Sequence, residues 1–308
     1  MNIIEKLKAI QQVTDMTQTE LAAQIGISFV ALNSLINGKS QPREKTQFTI
    51  NDLYERVTGT KHIPSDALAA KKQIIIAKAK KYSNMIETIS TNKSVFDHFL
   101  LELTFHTNGI EGSTLSEGET AAILFENSTI AGKTLVEQLE AKNHQTTLVY
   151  LFEYLSKSKT ISEELILKLH LILLNSIHTD AGFYRRHGVR IVGANLPTAN
   201  YLKIPDLMTA LVADINKSKV DIIAHAAEIH ARFEQIHPFS DGNGRIGRLI
   251  LQAMMLRKNL PPAVIKQDKK VQYLRYLNKA QTTGDQSLLD DFLCDAIDEG
   301  YRILEQNS

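Results

Sequence analysis

The sequence contains no tryptophan, one cysteine, seven prolines and no long uninterrupted run of apolar residues. A single cysteine cannot form a disulfide within the chain, so no internal disulfide can support the fold. No segment approaches the roughly 20 consecutive apolar residues that a membrane helix needs. Residues 5–8 carry charges where a secretory signal would be apolar. We therefore expect a cytoplasmic protein without membrane contact.

An excess of charge of one sign is also absent, because 35 Lys and Arg residues face 34 Asp and Glu residues and give a formal net charge of +1. This balance gives no indication of a partner. The 308 residues, 43% of them hydrophobic, suffice for one large core and a small appended domain. Cys294 lies in an amphipathic helical pattern, which predicts a core residue rather than a redox group.

The apolar periodicity predicts a mainly α protein in three parts. Residues 1–63 form a small all-α domain, residues 64–95 a connecting amphipathic helix, and residues 96–308 a helical bundle. Ser116 with Glu119 forms a capping box, and Ser162 caps another helix. Further helices are predicted over residues 206–217, 221–236, 243–259, 269–281 and 286–305.

The most informative segment is residues 237–248, His-Pro-Phe-Ser-Asp-Gly-Asn-Gly-Arg-Ile-Gly-Arg, which runs into an apolar helical stretch. Gly242 and Gly244 leave main-chain N–H groups open, and a helix start attracts anions through its free N–H groups and its dipole. Arg245 and Arg248 can reach the same anion from one side. A His before Pro, or an Asp-Gly pair, is alone usually a turn. No turn requires all of these residues, so the segment predicts a phosphate-binding site.

These residue types suit phosphoryl or nucleotidyl transfer, which depends on positioning and charge neutralisation. A neutral imidazole near pH 7, that of His237, can take the proton of an incoming hydroxyl. A single carboxylate, that of Asp241, is what Mg²⁺ expects when phosphates and water fill its other positions. The pattern indicates a nucleotide with magnesium rather than a closed zinc site. His225 and His230 lack the spacing of metal ligands and are expected in the core or at the surface.

The segment resembles, at every position, the His-Pro-Phe-x-(Asp/Glu)-Gly-Asn-Gly-Arg-x-x-Arg signature of the Fic (Fic/Doc) family. The resemblance implies a Fic-type helical bundle that transfers the AMP part of ATP to a Ser, Thr or Tyr hydroxyl of a target protein, or of the chain itself. It makes His237 the general base and Asp241 the ligand of a Mg²⁺ that bridges the α- and β-phosphates. The implied ATP-binding residues of the signature are Gly242, Asn243, Gly244, Arg245, Gly247 and Arg248.

Residues 107–112, Thr-Asn-Gly-Ile-Glu-Gly, resemble the (Ser/Thr)-x-x-x-Glu-(Gly/Asn) inhibitory motif that some Fic proteins carry ahead of the signature. Its matching positions are Thr107, Glu111 and Gly112. The resemblance implies that Glu111 pairs with Arg248 in the place of the ATP γ-phosphate, so that the nucleotide binds in an unreactive orientation. The same residues are also typical of a helix that ends at Gly112 with Glu111 in solvent. The presence of the signature favours the inhibitory role.

Residues 188–205 contain two β-prone runs, 189–192 and 201–204, around a turn rich in Gly, Asn and Pro. This pattern predicts a small β-hairpin and resembles the flap of the Fic family, on which the target segment docks by strand addition. The resemblance places four ATP-binding residues there, Val192, Gly193, Ala194 and Asn195. The preceding segment 182–185, Gly-Phe-Tyr-Arg, also resembles the family.

Gln281 resembles a position that helps hold the adenosine in the Fic family. The family often has Asn there, and this chain has one additional residue before Gly284 and Asp285. The assignment of Gln281 to ATP binding therefore has the weakest basis in the set.

Two short amphipathic helices around a Gly-containing turn are predicted within residues 17–42, and Gly38 and Pro42 end the second. They resemble a helix-turn-helix of the phage-repressor type, with the recognition helix starting near Ser28. Seven basic against six acidic residues in 1–63 attract phosphates little, and Asn33 and Ser34 are the main candidates for contacting bases. A small packing domain is the alternative, so DNA binding through residues 1–63 stays open.

Three functions remain for the whole chain. The first is an auto-inhibited protein adenylyltransferase. The second is removal of AMP from a modified protein, with Glu111 positioning the attacking water, or transfer of another phosphate-bearing group. Doc-type kinases of the family typically carry Lys where this chain has Gly244, which argues against phosphate transfer. The third is a DNA-binding regulator whose Fic-like domain senses nucleotide, against which the intact His237 and Asp241 weigh. The sequence names no target and leaves open whether the chain forms a homodimer.

Overall fold

A computed structural model describes residues 2–61, 63–158, 160–189 and 197–306. Within these residues the chain forms α-helices and two short 3-10 helices, and no strand occurs. This confirms the mainly α class. The α-helices are α1 (Ile3–Thr14), α2 (Gln18–Ile25), α3 (Phe29–Ile36), α4 (Glu44–Thr58), α5 (Ser65–Ala79), α6 (Met85–Thr91), α7 (Lys93–Glu111), α8 (Glu117–Glu126), α9 (Leu135–Lys157), α10 (Glu163–Leu173), α11 (Ile204–Ile215), α12 (Ile222–Ile236), α13 (Asn243–Arg257), α14 (Lys270–Thr283) and α15 (Ser287–Gln306).

Helices α1 to α4 enclose a small core of their own around Leu7, Leu21 and Ile50. The predicted turn between the second and third helices is present, because Gly26 ends α2 in the left-handed region with φ 77° and Ser28 caps α3. The axes of α2 and α3 differ by 104°. Among the described residues no single helix is long and apolar enough to cross a membrane, and α2 with α3 meets that test only as a bent pair.

The predicted connecting helix of residues 64–95 is two helices, α5 and α6. The chain turns between them because Asn259, far away in sequence, accepts a hydrogen bond from Met85 N at 2.7 Å and donates one to Tyr82 O at 2.6 Å. Both helices contribute to the main core, for example through Ile75 and Ile89. Lysines of α5 form ion pairs with aspartates of α15, among them Lys72 with the buried Asp290. A local pattern does not reveal a break that a distant side chain stabilises.

Helix α13 lies at the centre of the main bundle, where it packs against α12, α9, α10 and α7. Every residue from Arg245 to Leu256 is buried, in agreement with the apolar run that follows the signature. The capping residues Ser116 and Ser162 were predicted correctly, since each side chain accepts a hydrogen bond from the third residue of its helix. Cys294 lies in this core, as predicted, and burial raises its pKa to about 12.

The predicted β-hairpin is not found in the described part of the chain. Its second run is a 3-10 turn, Tyr201–Lys203, followed directly by α11. The Asn200 side chain accepts a hydrogen bond from Leu202 N at 3.0 Å, and Pro205 occupies the first turn of α11, where its missing N–H costs nothing. These helix-start signals override the β-prone composition. Residues 190–196, with Val192, Gly193, Ala194 and Asn195, lie outside the described residues.

Replacing Asn259 tests the turn between α5 and α6. Asn259→Ala should lower the free energy of unfolding by about 2–4 kcal/mol, since each lost hydrogen bond costs about 1 kcal/mol and Ala adopts a positive φ poorly. Asn259→Gly should lower the free energy of unfolding by less, because glycine tolerates the φ of 60° found here. Equal stability of all three proteins in urea unfolding would contradict this account of the turn.

Candidate active site

The signature loop joins the end of α12 to the start of α13 and is closed by its own side chains. Phe239 is fully buried and stacks on His170, with ring centroids 3.8 Å apart. The Asn243 amide accepts a hydrogen bond from Phe239 N and donates one to Phe239 O, both at 2.8 Å. The side chain of Asn243 therefore shapes the loop. A contact between Asn243 and an anion would have to come from its main-chain N–H.

An acidic side chain of the protein lies at the start of helix α13, where the sequence predicts an anion site. Gly242 precedes the helix with φ 76°, and no side chain caps the first turn. A Cβ on Gly244 would collide with the Glu111 carboxylate. The carboxylate of α7 thus lies directly on the first turn of α13, where free N–H groups and the helix dipole favour negative charge.

Arg248 connects this carboxylate to α13. Its Nη2 donates to Glu111 Oε1, and its Nε donates to the Thr107 hydroxyl at 2.6 Å. Burial alone would raise the pKa of Glu111, but the charge and hydrogen bond of Arg248 outweigh it and hold the pKa below its ordinary value. The contact that the inhibitory motif implies is present. Glu111 is also the last residue of α7, and Gly112 ends that helix with φ 105°.

The second arginine of the signature has other partners. Arg245 is buried and donates to Glu140 of α9 at 2.6 Å and to Asp241 at 3.4 Å. The Arg245 guanidinium thus contacts Glu140 and Asp241, whereas that of Arg248 contacts Glu111 and Thr107. Joint binding of one anion by the two arginines stays a prediction. Glu140 carries no local signal in the sequence, and only the fold brings it here. Asp241 remains half exposed, and His178 lies 3.2 Å from its carboxylate.

His237 has the protonation pattern of a base. It ends α12 in the left-handed region with φ 52°. Its Nδ1 lies 3.2 Å from the main-chain oxygen of Glu234, which can only accept, so Nδ1 carries the proton and Nε2 keeps a free electron pair. Burial lowers the pKa of the imidazole below its ordinary value. His237 is therefore neutral near pH 7 and able to accept a proton at Nε2.

Arg185, in the Gly-Phe-Tyr-Arg segment, holds the main chain of His237. Its buried guanidinium donates to His237 O at 2.7 Å, to His187 O at 2.7 Å and to Ala199 O at 2.6 Å. The sequence indicated a family-like segment but not this role. His187 precedes and Ala199 follows residues 190–196 in the sequence, and one side chain holds both of these described residues close to the main chain of the candidate base.

Two other predicted ligand residues are engaged inside the fold. The Gln281 amide donates to Ala231 O of α12 at 2.9 Å, so its nitrogen is already in use. Gly247 faces the bundle interior, where a Cβ would lie 2.6 Å from Glu234 Oε1. Among the described residues no group of three or more His, Cys, Asp or Glu side chains could hold a metal ion.

Comparison with known proteins agrees with this geometry. Residues 160–255 match the model of the Fic/DOC family, and residues 15–54 match a helix-turn-helix family. The chain carries a Fic/DOC domain. The matched residues 160–255 contain the signature loop, Arg185 and most of α13, whereas Glu111 lies outside them, on α7.

The curated relatives carry the name protein adenylyltransferase Fic. One from Drosophila ananassae is 27% identical over 263 residues, which cover 83% of this chain and 49% of the relative. One from Nematostella vectensis is 29% identical over 250 residues, which cover 74% of this chain and 57% of the relative. This chain thus spans about half the length of the curated relatives it matches. The crystal structure of a Fic-domain-containing signaling protein from Bacteroides thetaiotaomicron superposes with a TM-score of 0.66 at 25% identity, covering 77% of this chain and 99% of that one.

Arg185→Lys should destabilise the loop, since one ammonium group cannot reach the same carbonyl oxygens with the geometry of a guanidinium. We expect a loss of about 2–4 kcal/mol in urea unfolding, because buried carbonyls are left without donors. Arg186→Lys is the matched control, because Arg186 is the exposed neighbour. A loss in the control equal to that in Arg185→Lys would contradict the role given to Arg185.

Proposed function

We propose that this protein is an auto-inhibited protein adenylyltransferase that transfers AMP from ATP to a hydroxyl of a protein. The observation that carries the proposal is a complete Fic signature whose base, His237, is neutral and whose anion site holds an acid of the chain. The names of the relatives support the same activity. The target could be another protein or the chain itself.

In this mechanism His237 Nε2 takes the proton of the target hydroxyl. The hydroxyl oxygen forms a bond to the α-phosphorus of ATP, the bond from that phosphorus to the bridging oxygen breaks, and pyrophosphate leaves. Nδ1 keeps its proton throughout and donates it in a hydrogen bond to the main-chain oxygen of Glu234, so the imidazole stays oriented. Free N–H groups at the start of α13 would hold the phosphates once Glu111 has moved aside.

Asp241 fits a magnesium ligand. Its carboxylate is 47% exposed, and its other contacts are His178 and Arg245. Mg²⁺ commonly uses one or two carboxylates with phosphate oxygens and water in its remaining positions. When bound, Mg²⁺ would neutralise phosphate charge. The chain itself supplies the Asp241 carboxylate from the signature loop. His170 stabilises this loop, because its Nε2 donates a hydrogen bond to Asp241 O at 3.1 Å.

Glu111 would inhibit by competition for Arg248. The guanidinium and the first turn of α13 form one anion position, and the γ-phosphate of ATP and the Glu111 carboxylate cannot both occupy it. A nucleotide that binds beside Glu111 would lack its contact with Arg248 and would be held out of line for attack. Because Glu111 is ionised at neutral pH, the pair persists without a nucleotide.

Glu111→Gly should raise AMP transfer by at least tenfold, since a difference of about 1.4 kcal/mol between the two occupants of Arg248 suffices for that factor. The rate is measured as the transfer of label from α-labelled ATP to a mixture of cell proteins and to the chain itself. Glu126→Gly is the matched control, because Glu126 is likewise the last residue of its helix and exposed. Adding Arg248→Ala to Glu111→Gly should abolish the gain.

Equal transfer by wild type and Glu111→Gly at saturating ATP and Mg²⁺ would overturn the inhibitory role. AMP removal is the rival function of the same site, with Glu111 holding the attacking water. In that case Glu111→Gly loses the ability to strip AMP from a purified modified target and gains no transfer activity.

His237→Ala should reduce transfer in the Glu111→Gly background by about 10²–10⁴-fold, the contribution of a positioned general base. ATP binding, measured by calorimetry, should stay within a few-fold, because the imidazole faces the hydroxyl rather than the phosphates. A variant as active as its parent would exclude His237 as the base.

DNA is a second candidate partner, supported by the helix-turn-helix match over residues 15–54. The exposed face of α3 presents Phe29, Val30 and Asn33 and no cation. Affinity for a duplex from the promoter of this gene should therefore fall only shallowly with salt. Asn33→Ala should weaken binding to that duplex by about 5- to 100-fold, the value of one good base contact. Absence of a shifted band at low salt would favour a packing role for these helices.

A further inference from the structure

Glu234 is buried three residues before His237, and no step of the mechanism above uses its side chain. The residue is 8% exposed, and its Oε1 has no hydrogen-bond partner in the part of the chain that the structure describes. Its Oε2 lies 3.9 Å from Nδ1 of His237. Buried carboxylates almost always have a cation or several donors of their own, because an unpaired buried charge is costly. This one therefore calls for a functional explanation.

The position of the carboxylate is built into α13. A Cβ at Gly247 would lie 2.6 Å from Glu234 Oε1 and 3.1 Å from His230 Nδ1. Any other residue at 247 would displace one of these groups. Glycine within a helix costs about 1 kcal/mol relative to alanine. The helix thus accepts a less favourable residue at the point where Glu234 rests against it.

The charged and titratable groups around Glu234 come from four helices. They are His230 and His237 of α12, Arg248 of α13, Glu111 of α7 and Tyr273 of α14. Arg248 is already bound to Glu111 and Thr107, and His230 Nε2 is hydrogen-bonded to the Tyr273 hydroxyl at 2.6 Å. Among these groups, only His237 changes its charge during the proposed reaction.

We propose that Glu234 is a positioning residue for proton transfer, whose carboxylate stabilises the imidazolium that forms when His237 takes the hydroxyl proton. The proposal rests on the general-base role given to His237 above. Nδ1 of His237 keeps its proton and donates a hydrogen bond to Glu234 O, while Nε2 receives the new proton. The negative charge of the Glu234 carboxylate, 3.9 Å from Nδ1, then offsets the positive charge of the ring. A carboxylate does the same for the histidine of a catalytic triad, there through a direct hydrogen bond.

The stabilisation of the His237 imidazolium by Glu234 should depend on pH. Burial raises the pKa of Glu234 to about 7, with Arg248 opposing that rise and Glu111 adding to it. Burial lowers the pKa of His237, so His237 is already neutral in this range. Below pH 7 Glu234 is protonated and uncharged and gives no help, whereas above pH 7 it is ionised and the help is complete. The transfer rate should therefore rise through neutral pH as Glu234 loses its proton.

The test compares Glu234→Gln with its parent in the Glu111→Gly background, where bound γ-phosphate takes the place of the Glu111 charge. Glutamine keeps the volume and removes the charge. The ratio of parent to variant kcat should be near one at about pH 6 and roughly tenfold at about pH 8, a part of the 10²–10⁴-fold that a general base contributes. KM for ATP should not change. Glu228→Gln, at a partly exposed position of the same helix where the carboxylate lies 3.5 Å from Arg232, should follow the parent at every pH.

Glu234→Asp retains a carboxylate and should restore part of the rate together with its rise with pH. A Glu234→Gln rate reduced equally at all pH values would mean a structural role, and a rate equal to the parent's at all pH values would mean none. Either result overturns the proposal while leaving the base role intact. Activity of His237→Ala would instead overturn the base role itself.

A second measurement needs no turnover, and its main result comes from the wild-type protein. The imidazole resonances of His237 in the wild-type protein should show an inflection near pH 7 that reports the ionisation of Glu234 at 3.9 Å. Glu234→Gln should lack it. A smooth wild-type titration without this inflection would overturn the proposal even if Glu234→Gln failed to fold.

Discussion

The ion pair of Arg248 with Glu111 is the interaction on which the rest of the site depends. Arg248 is 5% exposed in the centre of the bundle, and a buried guanidinium without a partner would destabilise the fold by several kcal/mol, of order 3–5. The chain supplies that partner from the last residue of α7. One contact thereby fixes α7 against α13 and places a carboxylate at the start of α13, where the sequence predicts an anion site. In the proposed mechanism a competing phosphate would replace Glu111, because it would satisfy the same guanidinium.

The two glycines of Gly-Arg-Ile-Gly-Arg give α13 its unusual surroundings. Gly244 makes room for Glu111, and Gly247 makes room for Glu234, three residues further along. Residues three apart lie on the same face of a helix, so two acids from different helices approach the same side of α13. Arg248 influences both, and it lowers the pKa of each. The glycine pattern thus encodes recesses for carboxylates in addition to exposed N–H groups.

The helices could largely be predicted from the sequence, because they depend on local signals. Ser116 and Ser162 begin helices and Gly112 ends one, in each case through contacts within a few residues. The signature loop was recognisable because its residue types are improbable together. What could not be predicted depends on contacts across the fold. The ion pair of Arg245 with Glu140 is one example, because only the packing of α9 brings Glu140 to this arginine.

The same limit explains where the predicted secondary structure differs from the observed helices. The break between α5 and α6 is held by Asn259, about 175 residues away, and periodicity alone carries no trace of it. In the segment of residues 200–205, a composition typical of strands competes with an asparagine cap and a proline in the first helical turn, and the local hydrogen bond decides. No local signal in the sequence distinguishes Glu234, and only the recess at Gly247 shows that the fold provides a position for its carboxylate.

Buried charges around α13 make the site costly, and that cost is itself informative. The pKa of Glu234 of about 7, against an ordinary value of 4.5, means that its ionised form lowers the stability of the fold by about 3 kcal/mol above neutral pH. That penalty is absent below the unfolded-state pKa and grows as pH rises to the folded-state value. Apolar residues in place of buried ion pairs are often neutral or stabilising. Stability alone would therefore not select this cluster of ionisable groups. The cluster is required by both proposed functions, the exchange of Glu111 for phosphate on Arg248 and the negative charge on Glu234 when His237 takes a proton.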